Sequence, residues 1–487
     1  MNAPQRWGMI GLAIAALTYG ILSCHYIDRV PVSSDESYIA VASRNAMEGK
    51  IPYRDFAYTQ GPLLPYINGA AMELVGFGLM EQRAMNVAWG AVGLTALVIG
   101  LWCRSGALAG ALAVLPIVTA PYWVTFQTMG KTYGVSGAFA AMAVGTYLVP
   151  KVSLVRGLLF VALSAIAVGS RLSAVAVLLP LGLGLVAEQK SWKGQAVLIG
   201  SAVGAFVILI FPFIALAPEA AVFNLWAYHM GGAWNRRGEV LGEWAMMAPA
   251  ALLIIGTAGV CIPGAVKRRE LQPTMMGIAA ILGVTLPVWP RGSYGDYIIP
   301  TVAPACALAV AVLADGGWLK PRTSVLMVAL TGLVFIFPLP EETEGVSRPV
   351  KEAAAYLNEQ KMSGPILTPW GIVAVEAGLP IWPGTDMGSF SAMGPDEDLK
   401  AGLYKTTTVP RLAEAVSRKG PMAIVFIADD RHNFEWVNPT LKPQAPETTK
   451  LLVEAVGRHY RLAKRVGLLG VFLPNGEAGS PEGPEGK

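Results

Sequence analysis

Two adjacent carboxylates follow the first hydrophobic stretch of the chain, in Val32-Ser33-Ser34-Asp35-Glu36-Ser37-Tyr38. A carboxylate held at a membrane surface can take the proton of a hydroxyl and so act as a general base. Asp35 is assigned that role. Glu36 is taken with it as a catalytic residue, by capping the following helix or by positioning an acceptor. Acidic residues in a first helical turn also complement the helix dipole, so the assignment requires other ionisable groups to converge on the pair. Arg236 and Arg237 in His229-Met230-Gly231-Gly232-Ala233-Trp234-Asn235-Arg236-Arg237, Arg291 in Trp289-Pro290-Arg291, and Lys131 supply the complementary charge. Guanidinium groups grip phosphate through parallel hydrogen bonds, and these residues are expected to hold a phosphorylated lipid. Salt bridges to Glu239, Glu243 or Asp296 are the alternative reading of the arginines, and Arg171 is a further candidate. Tyr53, Tyr58, Tyr294 and Tyr297 could stack on sugar rings or form an aromatic belt. Arg54, Asp55, Gln60 and His229 complete the expected substrate-contacting set. No spacing of His, Cys, Asp or Glu marks a metal site. Metal ligands are therefore not assigned, and a divalent metal stays open as a cofactor.

The elements that must position these residues are membrane spans. The chain has 487 residues, 54% of them hydrophobic and only 14% charged, with a mean hydropathy of +0.49. Soluble proteins carry about 25% charged residues. The composition is that of a mainly α polytopic membrane protein. The net charge of +4 comes without a basic tract of the kind that binds nucleic acid. The cysteines, Cys24, Cys103, Cys261 and Cys306, lie in or beside apolar segments without metal-ligand or redox spacing and read as buried thiols. A span needs about 20 apolar residues. Roughly 11 candidates occur, at 7–26, 84–102, 107–123, 132–149, 157–169, 172–187, 196–216, 245–265, 274–289, 297–314 and 324–339. The first reads as an uncleaved span. A hairpin break is expected at Arg171, because an unpaired arginine at the bilayer centre costs at least about 2.5 kcal/mol.

Lysine and arginine are richer in the loops holding Arg104, Lys151, Arg156, Lys190, Lys193, Lys267, Arg268, Arg269, Lys320 and Arg322, with Arg6 on the same side. That bias places the N-terminus in the cytoplasm and the Asp35 loop outside, in an inner (plasma) membrane. The domain reading is a membrane unit over 1–340 with a structured first outer loop at 27–83, an extracytoplasmic α/β domain over 341–475 and a disordered tail at 476–487. In the first loop, Ser33 and Glu36 form a capping box for a helix running to about Met47. Residues 51–66 are expected to lie along the membrane surface with their aromatics at headgroup depth. In the C-terminal part, helices are expected at 350–357, 409–416 and 448–456, and strands at 365–367, 423–427 and 471–473.

The order of a first span, an outer Asp-Glu pair, a helix ending Glu48-Gly49 and then Ile51-Pro52-Tyr53-Arg54-Asp55-Phe56-x-Tyr58-x-Gln60-Gly61-Pro62-Leu63 resembles the GT-C membrane glycosyltransferases. These enzymes use polyprenyl-phosphate sugars and include the lipid A aminoarabinose, protein O-mannosyl and galacturonic-acid transferases. Tyr297-x-x-Pro300 near a late span is similar to a pattern of the same family. The resemblance implies that Asp35 is the base and that outer basic residues hold the lipid phosphate. Tyr38 stands where the aminoarabinose transferases have arginine, Gln60-Gly61-Pro62 where they have Glu-Lys-Pro, and Lys131 where a second aspartate would be sought. These departures argue against aminoarabinose and against a metal-assisted mechanism. The expected activity is inverting transfer from a polyprenyl-phosphate sugar to a glycolipid, polysaccharide or protein hydroxyl on the outer face of the cell envelope. Lipopolysaccharide in the periplasm is one such acceptor setting. The alternative, a transporter or lipid flippase, predicts ionisable residues in mid-membrane and broken helices in matching halves.

Overall fold

The computed structural model describes residues 3–230, 254–257, 259, 262–288, 295–317, 345–393, 398–427 and 446–475. The chain is mostly helical. Helix α1 (Ala3–Tyr26) leads into the first loop, which carries α2 (Ser34–Met47) and α3 (Leu64–Val75). The bundle continues with α4 (Leu79–Ser105), α5 (Ala107–Val118), α6 (Pro121–Thr128), α7 (Tyr133–Leu148), α8 (Leu154–Ser170), α9 (Val175–Glu188) and α10 (Trp192–Leu209). Beyond four short helical pieces between Phe211 and Met230 come α11 (Leu271–Thr285) and α12 (Ile299–Asp315). The outer helices present apolar side chains to the surroundings, among them Ile14 and Leu17 on α1 and Val203, Phe206 and Ile208 on α10. Water penalises such a surface and hydrocarbon does not, so these are the faces of an integral membrane protein.

Helix α12 is the axis of the bundle. Every residue from Ile299 to Val312 is buried, as expected of a helix that is apolar all round. Helices α4 and α7 cross where a Cβ on Gly100 would strike the Gly145 carbonyl, and one on Gly145 the Ala96 carbonyl. Only glycine permits that approach.

The described helices overlap the expected stretches in position, but fewer than the roughly 11 expected spans have the length to cross a membrane. Among the described residues, four are long and apolar enough to cross a membrane, and five if α5 and α6 form one span bent by 77°. That bend divides the expected 107–123 span. Ala120 precedes Pro121 and adopts extended backbone, because the proline ring disfavours helical geometry in the residue before it. The expected break at Arg171 is present: α8 ends at Ser170 and Arg171 is extended, with φ −154° and ψ 119°. The 324–339 span and most of 245–265 lie outside the described residues.

The C-terminal part builds a sheet of β1 (Ile366–Leu367), β4 (Ala423–Ile427), β5 (Tyr460–Val466) and β6 (Leu469–Pro474) in the order β1-β4-β6-β5. Strands β1 and β4 are parallel and the others antiparallel. A two-stranded pair joins β2 (Ala392–Met393) to β3 (Thr407–Thr408). The helices at Ser347–Glu359, Val409–Ser417 and Pro446–His459 stand where the sequence pattern places them. Strand β5 was not foreseen. Its Arg461, Lys464 and Arg465 obscure the apolar alternation, and charge of this kind is what an edge strand carries to resist pairing with another chain. This part does not stand apart from the bundle. Val350, Leu357, Ile372 and Val373 share one apolar core with Ala40 and Val41 of α2 and with Met72 and Leu79.

Two expectations fail. The aromatics of residues 51–66 are not spread at headgroup depth: Tyr53, Phe56 and Tyr58 are fully buried with Tyr38 and Ile39 in a core of their own. A left-handed backbone at Tyr53 (φ 68°) turns that segment inward. Of the described cysteines only Cys306 is buried, whereas Cys24 and Cys103 are exposed on the bundle surface.

Candidate active site

The site is organised by the first turn of α2. Ser33 and Glu36 close the capping box, the Glu36 N–H reaching Ser33 Oγ and the Ser33 N–H reaching Glu36 Oε2, both at 3.4 Å. Successive helical residues point about 100° apart, so fixing Glu36 inward turns Asp35 aside from it. Glu36 is gripped by Arg83 of α4, whose Nε donates to Oε1 and Nη2 to Oε2, each at 2.8 Å. Neither side chain has any exposed surface. The remaining Arg83 N–H groups are spent on backbone carbonyls, Ile27 and Val30 at 2.8 and 3.0 Å from Nη1 and Pro31 at 3.4 Å from Nη2. The Gly130 N–H donates to Glu36 Oε1 at 2.7 Å, and Gln82 Nε2 donates to the Gly130 carbonyl at 2.8 Å. Pinning Gly130 in this way delivers its neighbour, Lys131, to the mouth of the site.

There the Lys131 ammonium lies 3.3 Å from Asp35 Oδ2 and 3.2 Å from Asp296 Oδ2. Asp296 immediately precedes the central helix, and Tyr133 Oη donates to its Oδ2 at 2.7 Å. Burial alone would lower the Lys131 pKa, but Asp296 and Asp35 outweigh it and hold the amine above its ordinary value. Lys131 is therefore a fixed cation and not a base. The Asp35 side chain keeps 38% of its surface exposed and the Asp296 side chain 8%, which makes Asp35 the carboxylate a second molecule can reach.

Arg171 approaches from the end of α8. Its Nη1 donates to Thr132 Oγ1 at 2.7 Å, and its plane sits 4.8 Å from the ring centres of both Tyr133 and Tyr297, a double cation–π arrangement. No carboxylate lies within ion-pair distance of it among the described residues. The loop ahead of α3 is tied to this point: the Leu63 N–H donates to the Gly169 carbonyl at 3.0 Å, and a Cβ on Gly61 would collide with that same carbonyl. Gln60 is thus carried to within 3.4 Å of Arg171. His229 Nε2 donates to the Thr59 carbonyl at 2.8 Å, which assigns the proton to Nε2. Burial pushes the His229 imidazole below its ordinary value, so it is neutral at pH 7.

These groups line a cavity of about 230 Å³. Of the residues singled out from sequence, the structure brings Asp35, Lys131, Gln60, His229 and Tyr297 to it. Glu36 does not reach it: its carboxylate is consumed by Arg83 and Gly130, and its assignment as catalytic is corrected to a structural one. Tyr53 and Tyr58 are sealed in the neighbouring core. Tyr53 Oη donates to the Gln60 carbonyl at 2.6 Å, so it shapes the wall without touching the cavity. Arg54 and Asp55 pair with each other at 2.7 Å, away from the cavity. Arg236, Arg237, Arg291, Tyr294 and Trp234 lie outside the described residues. The residues that sequence reasoning undervalued are Asp296, Arg171, Tyr38, Tyr133 and Phe390. Asp296 carried a local signal, since in the sequence it stands between Gly292-Ser293-Tyr294-Gly295 and a long apolar run.

No family model matches the sequence, and no curated protein matches it. Solved structures do match. ArnT from Cupriavidus metallidurans bound to undecaprenyl phosphate is similar over 98% of this chain and 100% of its own, at 16% identity and a TM-score of 0.63. The archaeal oligosaccharyltransferase AglB from Archaeoglobus fulgidus, in complex with an inhibitory peptide and a dolichol-phosphate, is similar over 98% of this chain and 75% of its own, at 14% identity and a TM-score of 0.52. At such low identity the likeness speaks for architecture: this chain has the GT-C fold, the fold of the membrane glycosyltransferases ArnT and AglB.

Proposed function

We propose that the protein transfers a glycosyl group from a polyprenyl-phosphate donor to a hydroxyl acceptor on the outer face of the membrane, with inversion at the anomeric carbon. One observation carries the reading. A reachable carboxylate, Asp35, and a guanidinium with no carboxylate partner among the described residues, Arg171, line the same cavity. The undecaprenyl phosphate and dolichol-phosphate bound by the two structural neighbours support a lipid-phosphate donor.

Asp35 accepts the proton of the acceptor hydroxyl as its oxygen attacks the anomeric carbon. The bond from that carbon to the phosphate oxygen breaks on the opposite side. Its electron pair leaves with the polyprenyl phosphate, which departs as a monoester carrying one more negative charge than it bore in the donor. Arg171 neutralises that charge, and preorganised charge of this kind is often the largest catalytic contribution. In this reading Arg171 takes the task first given to Arg236, Arg237, Arg291 and Lys131. Its rings are already stacked and its Thr132 contact made, so little reorganisation accompanies donor binding. Gln60, His229 and Tyr297 contact the sugar. Phe390, from the C-terminal part, lines the same cavity, so that part shares the face of Asp35. That placement favours an extracytoplasmic α/β domain over 341–475, a membrane unit over 1–340 and a cytoplasmic N-terminus. The transporter reading is disfavoured because the described ionisable clusters gather at helix ends: Arg156 with Glu188 at one, Asp35, Lys131 and Asp296 at another.

The test is reconstitution of the purified full-length protein with a panel of polyprenyl-phosphate sugars and glycolipid, polysaccharide and peptide acceptors, read by mass spectrometry. The expected result is consumption of one donor with release of polyprenyl phosphate. Together with unchanged envelope glycans in cells lacking the protein, an inert panel overturns the reading.

A further inference from the structure

Two carboxylates that converge repel each other unless a shared proton or a cation compensates them, and a divalent metal is one such cation. The donor set here is not vacant for one. Both Oδ2 atoms, of Asp35 and Asp296, are committed to a single ammonium at 3.3 and 3.2 Å, and no third His, Cys, Asp or Glu joins them to form a metal-binding group among the described residues. The ammonium is itself locked. Lys131 is 9% exposed, packs 4.9 Å from the centre of the Phe126 ring, and follows Gly130, whose N–H and carbonyl are both bound to buried groups. The other oxygen of Asp296 is buried and receives no hydrogen bond from the described residues. Acceptor capacity thus remains beside the cation that is already there.

We propose that Lys131 is a positioning residue that acts as a tethered counter-ion. It holds Asp35 and Asp296 together by occupying the place between them that a divalent metal would bridge. The tether explains why the lysine rides on the Gly130 anchor: its backbone is fixed by the same buried carboxylate, Glu36, that turns Asp35 toward the cavity. The consequence for catalysis rests on the transfer reading above, whereas the consequence for cation binding does not.

The two are separated by measuring Mn²⁺ binding by electron paramagnetic resonance on the purified full-length protein, alongside turnover. The wild type is expected to take up no Mn²⁺ at this site and to turn over equally with and without EDTA. Lys131→Ala is expected to gain one bound Mn²⁺, which disappears again in Lys131→Ala with Asp296→Asn. Its turnover is expected to fall about 100-fold, the scale of losing one preorganised charge, and to recover in part with added Mn²⁺. Lys131→Gln, closer in length, replaces alanine if the smaller residue fails to fold. A wild type that binds Mn²⁺ through Asp296, or Lys131 variants that fold and gain none, overturns the proposal. Gain of Mn²⁺ in the variant with no turnover by the wild type on any donor keeps the counter-ion and rejects the transferase.

Discussion

Asp35 and Glu36 are neighbours in one helical turn, and the molecule uses them in opposite ways. Glu36 meets Arg83 with both side chains wholly buried and every nearby donor engaged. Asp35 meets Lys131 at the rim of a cavity with over a third of its side chain exposed. A buried pair with satisfied hydrogen bonds resists change, since either partner alone is an uncompensated charge in a poor dielectric. A half-open pair can exchange partners with an incoming molecule. The lesson is that the chemical type of a residue says less about its task than the dielectric and the packing around it. The two pairs are also linked in series: the buried one fixes Gly130 and thereby aims the open one.

The largest effect that sharpens this contrast is Asp35→Asn. Transfer is expected to fall about 10³-fold, within the usual range for a lost general base, while the melting temperature in detergent stays within a degree or two of wild type, as surface changes usually do. Full activity in that variant would remove Asp35 from the mechanism.

On the other side of the comparison, Arg83→Gln or Glu36→Gln is expected to cost about 3–5 kcal/mol of stability, because each strands a buried charge. The check is thermal unfolding and yield, with activity measured per folded molecule. Replacing both at once, Glu36→Leu with Arg83→Met, is expected to restore much of that loss, since apolar replacements of a buried pair are often near neutral. A double variant as poor as the singles would break the distinction between a structural and a reactive pair.

Arg171→Gln comes next, with kcat/KM expected to fall roughly 10- to 100-fold, the worth of hydrogen bonds to a charged group. Competition by free polyprenyl phosphate should weaken in parallel.

The smallest expected effect concerns the seam between α2 and the C-terminal part, where Asn45 Nδ2 donates to Asp386 at 2.8 Å. Burial raises the Asp386 pKa, against the opposing pull of the Asn45 hydrogen bond and Lys50. The folded protein therefore binds this proton more tightly than the unfolded chain does. Stability at the seam is greatest below the ordinary carboxylate value of about 4 and declines as pH rises from there to the raised value. Asp386→Asn is expected to flatten that dependence, which melting curves between acidic and neutral pH would reveal.

Much of this arrangement was legible in the chain. The Ser33–Glu36 box predicted α2 to within a residue at its start, because both halves of a cap lie within one turn. The break at Arg171 and the run of apolar helices followed from local hydropathy and the cost of a charge in lipid. Asp35 stood out for the same reason, as a charge at the edge of an apolar span. Arg83, by contrast, reads locally as an ordinary charge near the start of α4, and only the chain folding back over a separation of 47 positions makes it the partner of Glu36. Tyr53 and Tyr58 looked like belt residues because burial and interfacial exposure favour the same side chains.

What the amino-acid sequence determined by itself is the class of solvent around this protein and the local geometry of each element, since hydropathy, capping and proline act over a few residues. What only the tertiary structure decided is which charges meet. Lys131 and Asp296 are separated by 165 positions, and nothing in either neighbourhood specifies the other. Their meeting depends on α12 threading the centre of the bundle and on Gly130 being held by Glu36, contacts whose energy exists only once the whole chain has packed.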